Sequence, residues 1–271
     1  MFALKKLLLP VDYSDRSPMA AENAGFIARR CGSQVTVLHV KEPGAHSAEE
    51  AAAGRADAVI DALKDIDTAT VELPGHAPEV IVQYAREHAC DLIVMPTRGH
   101  TALRRFLLGS VTAKVLHDVE IPVWTGVHYD EDTATPLADV RQVVCAIDLA
   151  PQSEGVLRWA ADFAARFGAG LTVVHASSQL VPVIGVVHDH EYRAQLAESM
   201  TAQLAALLRK TGIDAEIRLA PGEPAKAVTE AAQTCNADVL VIGRTPPGLM
   251  GRLRAVAYAI IRQSHCPVIS V

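Results

Sequence analysis

Aromatic residues are scarce in this sequence of 271 residues, at 4% of the chain. Basic residues are not in excess either: 25 Lys and Arg stand against 31 Asp and Glu, and the formal net charge is −6. Binding to nucleic acid or to an anionic membrane needs a cluster of cations, and base stacking needs aromatic rings. The composition therefore argues against a nucleic-acid partner and against a membrane-binding surface.

Cysteine is also sparse, and its five copies are scattered without a Cys-x-x-Cys pair. An odd number of isolated cysteines fits reduced thiols in a cytosol better than a disulfide framework or a zinc site. Most of them are expected to be small core residues. They are Cys31, Cys90, Cys145, Cys235 and Cys266.

Long hydrophobic runs are missing, since no apolar stretch approaches the roughly 20 residues that cross a membrane. The apolar run near the N-terminus, centred on residues 7–9, is too short for a signal peptide and has no small-residue cleavage site. We therefore expect a cytoplasmic protein.

Familiar catalytic motifs are absent as well. The sequence has no P-loop with Gly-Lys-Ser/Thr, no Gly-x-Ser-x-Gly elbow and no His-Glu-x-x-His pair. Enzymatic activity is therefore an uncertain expectation, and a binding function is favoured.

What the sequence does contain is a repeat of its own first half. The run Leu7–Asp12 is matched by Val143–Asp148, and the stretch Pro74–Met95 is matched by Pro221–Ile242. A period of about half the chain is far longer than that of a solenoid repeat, so we predict a duplicated domain. The acidic stretch 130–139 lacks apolar periodicity and is the predicted linker.

The predicted domains are residues 1–129 and 140–271. At 50% hydrophobic residues, the chain is long enough for two proper cores. Continuous apolar strands alternate with helical patterns in each copy, which favours a parallel sheet covered on both faces. Ligands of such sheets bind beyond the carboxyl ends of the strands, where the strand order reverses. Strands of the first copy are expected at 7–11, 34–40, 69–73, 91–95 and 121–127.

The stretch 91–123 contains the parts of a phosphate site. A strand ends at Met95, a glycine follows at Gly99, and Gly109-Ser110 opens a helix. The first amides of a helix have no acceptor within the helix, and its dipole favours an anion there. Taken alone, Gly-Ser is more often a plain helix cap.

These residues resemble the nucleotide-binding segment of the universal stress protein family. Its ATP-binding members carry Gly, two residues, Gly, nine residues, and then Gly-Ser or Gly-Thr. Gly99 and Gly109-Ser110 keep the longer spacing, whereas Pro96 stands where the first glycine is expected. Both copies also end their first strand in aspartate, at Asp12 and Asp148. The resemblance covers essentially the whole chain and implies two tandem five-stranded α/β domains of the adenine-nucleotide α-hydrolase-like (Rossmann-like) type.

The resemblance implies an ATP site in the first copy. The ends of the first two strands would line the adenine and ribose pocket, and the helix start would bind the phosphates. Pro96 lacks an amide, so contacts that need the first glycine are in doubt. Asp12 is also a natural cap for the first helix, with Ser14 and Ser17 beside it. The implied ATP-binding residues are Pro10, Val11, Asp12, Val40, Met95, Pro96, Gly99, Gly109, Ser110, Val111 and Thr112.

The second copy lacks much of this set. Pro246 faces Gly99, and Arg254-Ala255 face Gly109-Ser110. We predict that this copy binds ATP poorly or not at all, unless it takes a different ligand or an anion held by Arg252 and Arg254.

Several other residues have a functional and a plainer interpretation. Arg98, Arg104 and Arg105 would steer phosphate or form a solvated basic loop. The sequence His188-Asp-His190 is too small a set for a metal site, so a solvated turn is favoured. His39 and His175 recur near the ends of the second strand of each copy, where a structural role is expected.

Three functions stay open at this stage. The first is an ATP-binding stress-response regulator, with magnesium left open as a companion of ATP. The second is a nucleotide-free scaffold or chaperone-like dimerisation module, and the third is a weak ATPase in which Asp12 orients water or a metal ion. The resemblance also implies that the regions around Val123 and Val268 pair within one chain as an internal pseudo-dimer, with a further homodimer left open.

Overall fold

The structure, a computed structural model, describes residues 2–42, 49–97, 108–127, 137–182, 189–244 and 252–271. Gly99, Arg98, Arg104, Arg105, His188 and Pro246 lie outside these ranges. The chain divides into a first unit, Met1–Ala138 with Pro267–Val271, and a second unit, Asp139–Cys266.

In the first unit, strands and helices alternate along the described chain. Neighbouring strands are parallel in the order β3-β2-β1-β4-β5, so the direction of chain progression reverses between β1 and β4. The carboxyl ends of β1 and β4 therefore flank the position where ligands of such sheets bind. The elements are β1 Lys6–Val11, α1 Ser17–Cys31, β2 Gln34–Lys41, α2 Glu49–Ala62, β3 Thr68–Pro74, α3 Ala77–Glu87, β4 Leu92–Met95, α4 Ser110–Asp118 and β5 Val123–Thr125.

The centre of this sheet is buried on both faces, as its sequence predicts. Every residue of β4 is buried, and only the first residue of β1 is exposed. Helix α1 buries Ala20, Ala24, Ile27 and Ala28, which recur with helical spacing. It ends at Gly32, whose φ of 65° is the left-handed conformation that glycine adopts without strain.

The second unit has the same alternation. Its strands are parallel in the order β9-β6-β7-β8, with the reversal between β6 and β9. The elements are β6 Gln142–Ala146, α5 Ser153–Phe167, β7 Gly170–Ser177, α6 Asp189–Thr211, β8 Glu216–Pro221, α7 Pro224–Thr234, β9 Val239–Ile242 and α8 Arg252–Gln263.

One aspartate in each unit fixes the start of the first strand. Asp91 Oδ2 accepts hydrogen bonds from the amides of Lys5 (2.7 Å) and Lys6 (2.9 Å). Asp238 Oδ2 accepts from two consecutive amides at the start of β6, both at 2.8 Å. Hydrogen bonds to an ionised carboxylate are stronger than those between neutral groups. The aspartate that recurs in the two copies therefore has a structural role, which is to hold the start of the first strand.

The last strand, β10 (Val268–Ser270), pairs with β5 within the first unit as the unit is defined above. The pairing is antiparallel, with Val268 opposite Thr125 and Ser270 opposite Val123. Thr125 Oγ1 also donates to the Val268 carbonyl (3.1 Å) in the buried interior. The predicted pairing between the Val123 and Val268 regions is confirmed.

The cysteines are free thiols, and all but the half-buried Cys235 are buried. Burial raises the pKa of Cys90 and Cys266 to about 11 and that of Cys145 to about 12. A protonated, buried thiol is a poor nucleophile. The prediction that most of the cysteines are small core residues is confirmed.

Within the described residues, no helix is both long enough and apolar enough to cross a membrane.

Candidate functional site

Asp12 follows β1 directly and organises the turn into α1. Its Oδ1 accepts hydrogen bonds from the amide of Ser14 (2.9 Å) and from the hydroxyl of Ser17 (3.2 Å). Between them, Tyr13 takes a φ of 53°, a conformation that few residues other than glycine adopt. The side chain of Asp12 nevertheless remains exposed at the edge of the sheet. The prediction that Asp12 caps α1 is wrong, because the N-cap residue is Arg16 and no side chain caps the helix. Asp12 instead closes the turn that precedes α1, and its side chain stays accessible.

His39 ties the end of β2 to the end of β1. Its Nδ1 lies 3.0 Å from the carbonyl oxygen of Val11, and because a carbonyl only accepts, Nδ1 carries the proton. The ring of Tyr13 packs against the ring of His39 at 4.9 Å between centroids. Burial, and next the negative charge of Glu72, raise the pKa of the Tyr13 hydroxyl. The structural role predicted for His39 is confirmed.

The start of α4 is tied to the end of β4. The Gly109 amide donates to the carbonyl of Thr97 (2.8 Å), and Thr112 Oγ1 donates to the carbonyl of Pro96 (2.9 Å). These two groups, which the sequence offered as phosphate donors, are thus already used within the protein. The helix itself supplies no acceptor for the amides of Ser110, Val111 and Thr112. Donors for an anion at this helix start are therefore these three amides and the hydroxyl of the exposed Ser110.

The other implied ATP-binding residues lie at the same edge of the sheet, because the carboxyl ends of neighbouring parallel strands share an edge. Pro10 and Val11 are buried at the end of β1, Met95 is buried at the end of β4, and Val40 is half-buried near the end of β2. The whole implied set except Gly99 is therefore described, and it clusters around the reversal between β1 and β4.

Two contacts at this edge of the sheet were not predicted from the sequence. The carbonyl of Thr97, a residue only 2% exposed, anchors the Gly109 amide. Arg55 of α2 forms an ion pair with Asp15 (2.5 Å) beside the Asp12 turn. No local pattern indicates a contact between residues 40 positions apart. The Thr97 carbonyl is a backbone group, so residue type gives no signal for it.

The second unit repeats the aspartate turn. Asp148 Oδ1 accepts from the amide of Ala150 (3.0 Å) and from the hydroxyl of Ser153 (2.9 Å), and Leu149 has a φ of 61°. His175 Nδ1 lies 2.9 Å from the carbonyl oxygen of Ile147. This contact is equivalent to that of His39 Nδ1 with the carbonyl oxygen of Val11 in the first unit. The structural role predicted for His175 is confirmed.

The last helix of the second unit begins earlier than its counterpart. When α4 and α8 are aligned at their last residues, Asp118 and Gln263, the position of Ser110 falls on Ala255, whereas α8 begins at Arg252. Ala255 is thus three residues inside the helix, where its amide faces an acceptor one turn earlier in the chain. Relative to the start of α4, which faces the sheet edge in the first unit, the start of α8 is displaced by about 4.5 Å along the helix axis, since three residues rise by 1.5 Å each.

Metal ligands do not cluster in the described ranges, where no three His, Cys, Asp or Glu residues are arranged to hold an ion. His190 is exposed at the beginning of α6.

Comparison with known proteins gives a consistent relationship for both halves. A model of the "Universal stress protein family" matches residues 3–125 and again residues 139–271. Universal stress protein MJ0531 of Methanocaldococcus jannaschii is 33% identical over 135 residues, which is 44% of this chain and 79% of that protein. Universal stress protein Slr1230 of Synechocystis sp. is 47% identical over 53 residues, 20% of this chain and only 18% of its own length.

The fold comparison extends over the whole chain. The crystal structure of a universal stress protein from Archaeoglobus fulgidus DSM 4304 matches with a TM-score of 0.67 and 21% sequence identity. The match covers 99% of this chain and 96% of that one. The tandem α/β architecture expected from the repeat is confirmed.

Proposed function

The chain belongs to the universal stress protein family, and from this premise we propose that its first unit binds ATP as part of a cytoplasmic stress-response regulator. The single observation that carries the proposal is the attachment of the α4 start to the end of β4, through the hydrogen bonds from Gly109 to Thr97 and from Thr112 to Pro96. This attachment holds free helix amides beside the reversal of strand order. The proposal keeps the sequence domains 1–129 and 140–271, with 130–139 as the linker.

The phosphates would bind at the α4 start. Each unbonded amide there carries partial positive charge, and together with the helix dipole they attract an anion. The exposed Ser110 hydroxyl adds a donor that can rotate toward a phosphate oxygen. Magnesium would accompany ATP through its phosphate oxygens. Gly99 belongs to the proposed site through the resemblance alone.

The base and ribose would bind between the strand ends. Pro10, Val11 and Met95 present buried apolar surface, and the half-buried Val40 lies on the next strand. Asp12 keeps an exposed carboxylate that accepts hydrogen bonds from hydroxyl groups, as a ribose offers. The site thus combines an apolar floor, one acceptor and a set of phosphate donors.

Pro96 has a defined effect on this proposal. It cannot donate an amide to a phosphate, but its carbonyl accepts the Thr112 hydroxyl and so helps to position α4. The missing glycine therefore removes one donor while the helix start stays anchored.

The test is to identify the ligand that purified full-length protein releases on denaturation, by mass spectrometry, and to titrate ATP by calorimetry. A double variant, Gly109→Arg with Ser110→Ala, gives the first unit the residues of the second. We expect the wild type to release or bind ATP and the variant to lose most of its affinity. Equal and weak binding by both proteins would refute the site and favour the nucleotide-free scaffold.

The weak ATPase has its own test. If Asp12 orients a water molecule, turnover of ATP is lost in Asp12→Ala and kept in Asp148→Ala. Turnover that is insensitive to Asp12, or not detectable in the wild type, leaves the protein a binding module.

A further inference from the structure

The second unit contains a cavity of about 260 Å³ at the carboxyl ends of its strands. The ends of β6, β7 and β9 form one side of the cavity and helix α8 forms another. Its position in the fold is the same as that of the proposed ATP site in the first unit. Its lining from these elements includes Ile147, Ala176, Ile242, Val256, Ala257 and Ile260.

In the described part of the lining, phosphate donors of the first unit are missing. Ala255 occupies the position of Ser110, so the hydroxyl proposed as a phosphate donor is missing. Ala257, which lines the cavity, occupies the position of Thr112, whose hydroxyl anchors α4 to the Pro96 carbonyl in the first unit. Because α8 begins at Arg252, three residues before Ala255, its unbonded amides lie about 4.5 Å further along the helix axis than those of α4. A phosphate placed here would lose its hydration without gaining these donors, which is costly for an anion.

A negative charge stands at the same edge. Asp148, another lining residue, is held in place by the amide of Ala150 and the hydroxyl of Ser153. The lining residue Arg244 is itself engaged in an interaction within the protein. Asp12 has the equivalent position and bonds in the first unit, so the two sites differ in their phosphate donors and not in this carboxylate.

The polar side chains of the lining are Asp148, Gln152, Ser153, His175 and Arg244, and of these we consider His175 as the group that orients a ligand. His175 is only 9% exposed, and its Nδ1–H is taken by the carbonyl of Ile147. In the neutral imidazole, Nε2 is then an acceptor. A ligand with a hydroxyl or N–H group can donate to it, and the apolar walls can cover the remainder.

From these features we propose that the second unit binds an uncharged, largely apolar small molecule with one hydroxyl or N–H group, in place of a nucleotide. A dry apolar cavity of about 150 Å³ holds a benzene molecule. The larger volume of this cavity matches a bicyclic ring system. The inference is independent of ATP binding by the first unit, since it concerns different residues.

The test compares two probes that share one ring system, 1-naphthol and 1-naphthyl phosphate, on the full-length protein. Binding is followed by methyl NMR at Ile260 and Val228, which line the cavity. Their counterparts in the first unit, Val115 and Ile81, serve as the internal control. We expect 1-naphthol to shift the methyl signals of Ile260 and Val228 and to leave those of the control pair in place. The phosphate should bind these positions about tenfold more weakly or not at all.

Three variants locate the effect. Ala257→Leu fills the cavity and should weaken 1-naphthol binding by about tenfold or more, while Ala255→Leu, on the exposed face of the same helix, should leave it unchanged. Ala176→Val, which introduces the residue of the first copy, should weaken binding to a smaller degree and keeps the test decisive if the leucine variant fails to fold. The proposal is overturned if 1-naphthol leaves Ile260 and Val228 unaffected. It is equally overturned if the phosphate or ATP binds there more tightly than the neutral probe, or if Ala257→Leu and Ala255→Leu behave alike.

Discussion

Replacing Ser110 by aspartate tests the electrostatics of the proposed ATP site. Ser110 is exposed at the first position of α4, so the new side chain meets no packing constraint. A carboxylate in the first turn of a helix stabilises that helix by roughly 0.3–1 kcal/mol. A loss of binding in Ser110→Asp would therefore not result from unfolding.

The magnitude follows from charge repulsion. Two unit charges about 4 Å apart in water repel by ~1 kcal/mol. A triphosphate places more than one charge near the helix start, so we expect a loss of about 2 kcal/mol, or ~30-fold in Kd. Because salt screens exposed charges, the effect should shrink as ionic strength rises.

The assay is calorimetric titration of ATP into Ser110→Asp, Ser110→Ala and Ala255→Asp. Ser110→Ala removes only the hydroxyl and should cost about tenfold or less. Ala255→Asp places the same charge at the matched exposed position of the second unit and should leave the affinity unchanged. If Ser110→Asp and Ala255→Asp bind ATP equally well, the phosphates are not at the α4 start and the reasoning fails.

The remaining predictions concern stability. Asp91→Ala and Asp238→Ala each remove a carboxylate that accepts two amides, and each should cost about 2 kcal/mol in denaturant unfolding; an unchanged midpoint would contradict the role. A Cβ on Gly25 would lie 2.7 Å from a backbone carbonyl of α2, so Gly25→Ala should lower the melting temperature. Gly155→Ala meets nothing within 4 Å and should raise it or leave it unchanged. Burial raises the pKa of Cys145 from 9.0 to about 12, so above pH 9 the unfolded chain ionises first and stability should fall. In Cys145→Ala, the free energy of unfolding should fall less steeply above pH 9 than in the wild type. Equal slopes in the two proteins would contradict the role of Cys145.

Periodicity and repetition were sufficient to predict the strands at the centre of each sheet. The predicted strand 7–11 is observed as Lys6–Val11, and the predicted strand 91–95 as Leu92–Met95. Apart from the exposed Lys6, these strands are buried on both faces, so their residues are apolar and the signal is continuous. The strand expected over 121–127 is shorter, Val123–Thr125, because pairing partners and not residue types set the ends of a strand.

The candidate site was predictable only in its side chains. Asp12 and the Gly109-Ser110 pair are recognisable from residue type and spacing. The bonds that position α4 use the backbone carbonyls of Pro96 and Thr97, which every residue type offers. A contact of this kind depends on how the chain folds back and leaves no mark on the local sequence.

The same limit applies to the second unit. The sequence indicated that Arg254 and Ala255 replace Gly109 and Ser110, but it placed them at a helix start. They lie inside the first turn of α8, which begins at Arg252. The loop before α8 is two residues shorter than its counterpart, and where a helix starts after a changed loop depends on tertiary contacts as well as on residue type.

The central claim is that ATP binds at the α4 start of the first unit and not at α8. Backbone amide NMR during an ATP titration of the full-length protein tests it most directly. We predict that the amides of Ser110, Val111 and Thr112 shift with saturation, while those of Arg252 and Ala255 stay in place. Shifts confined to α8, or no shift in either helix, would contradict the claim.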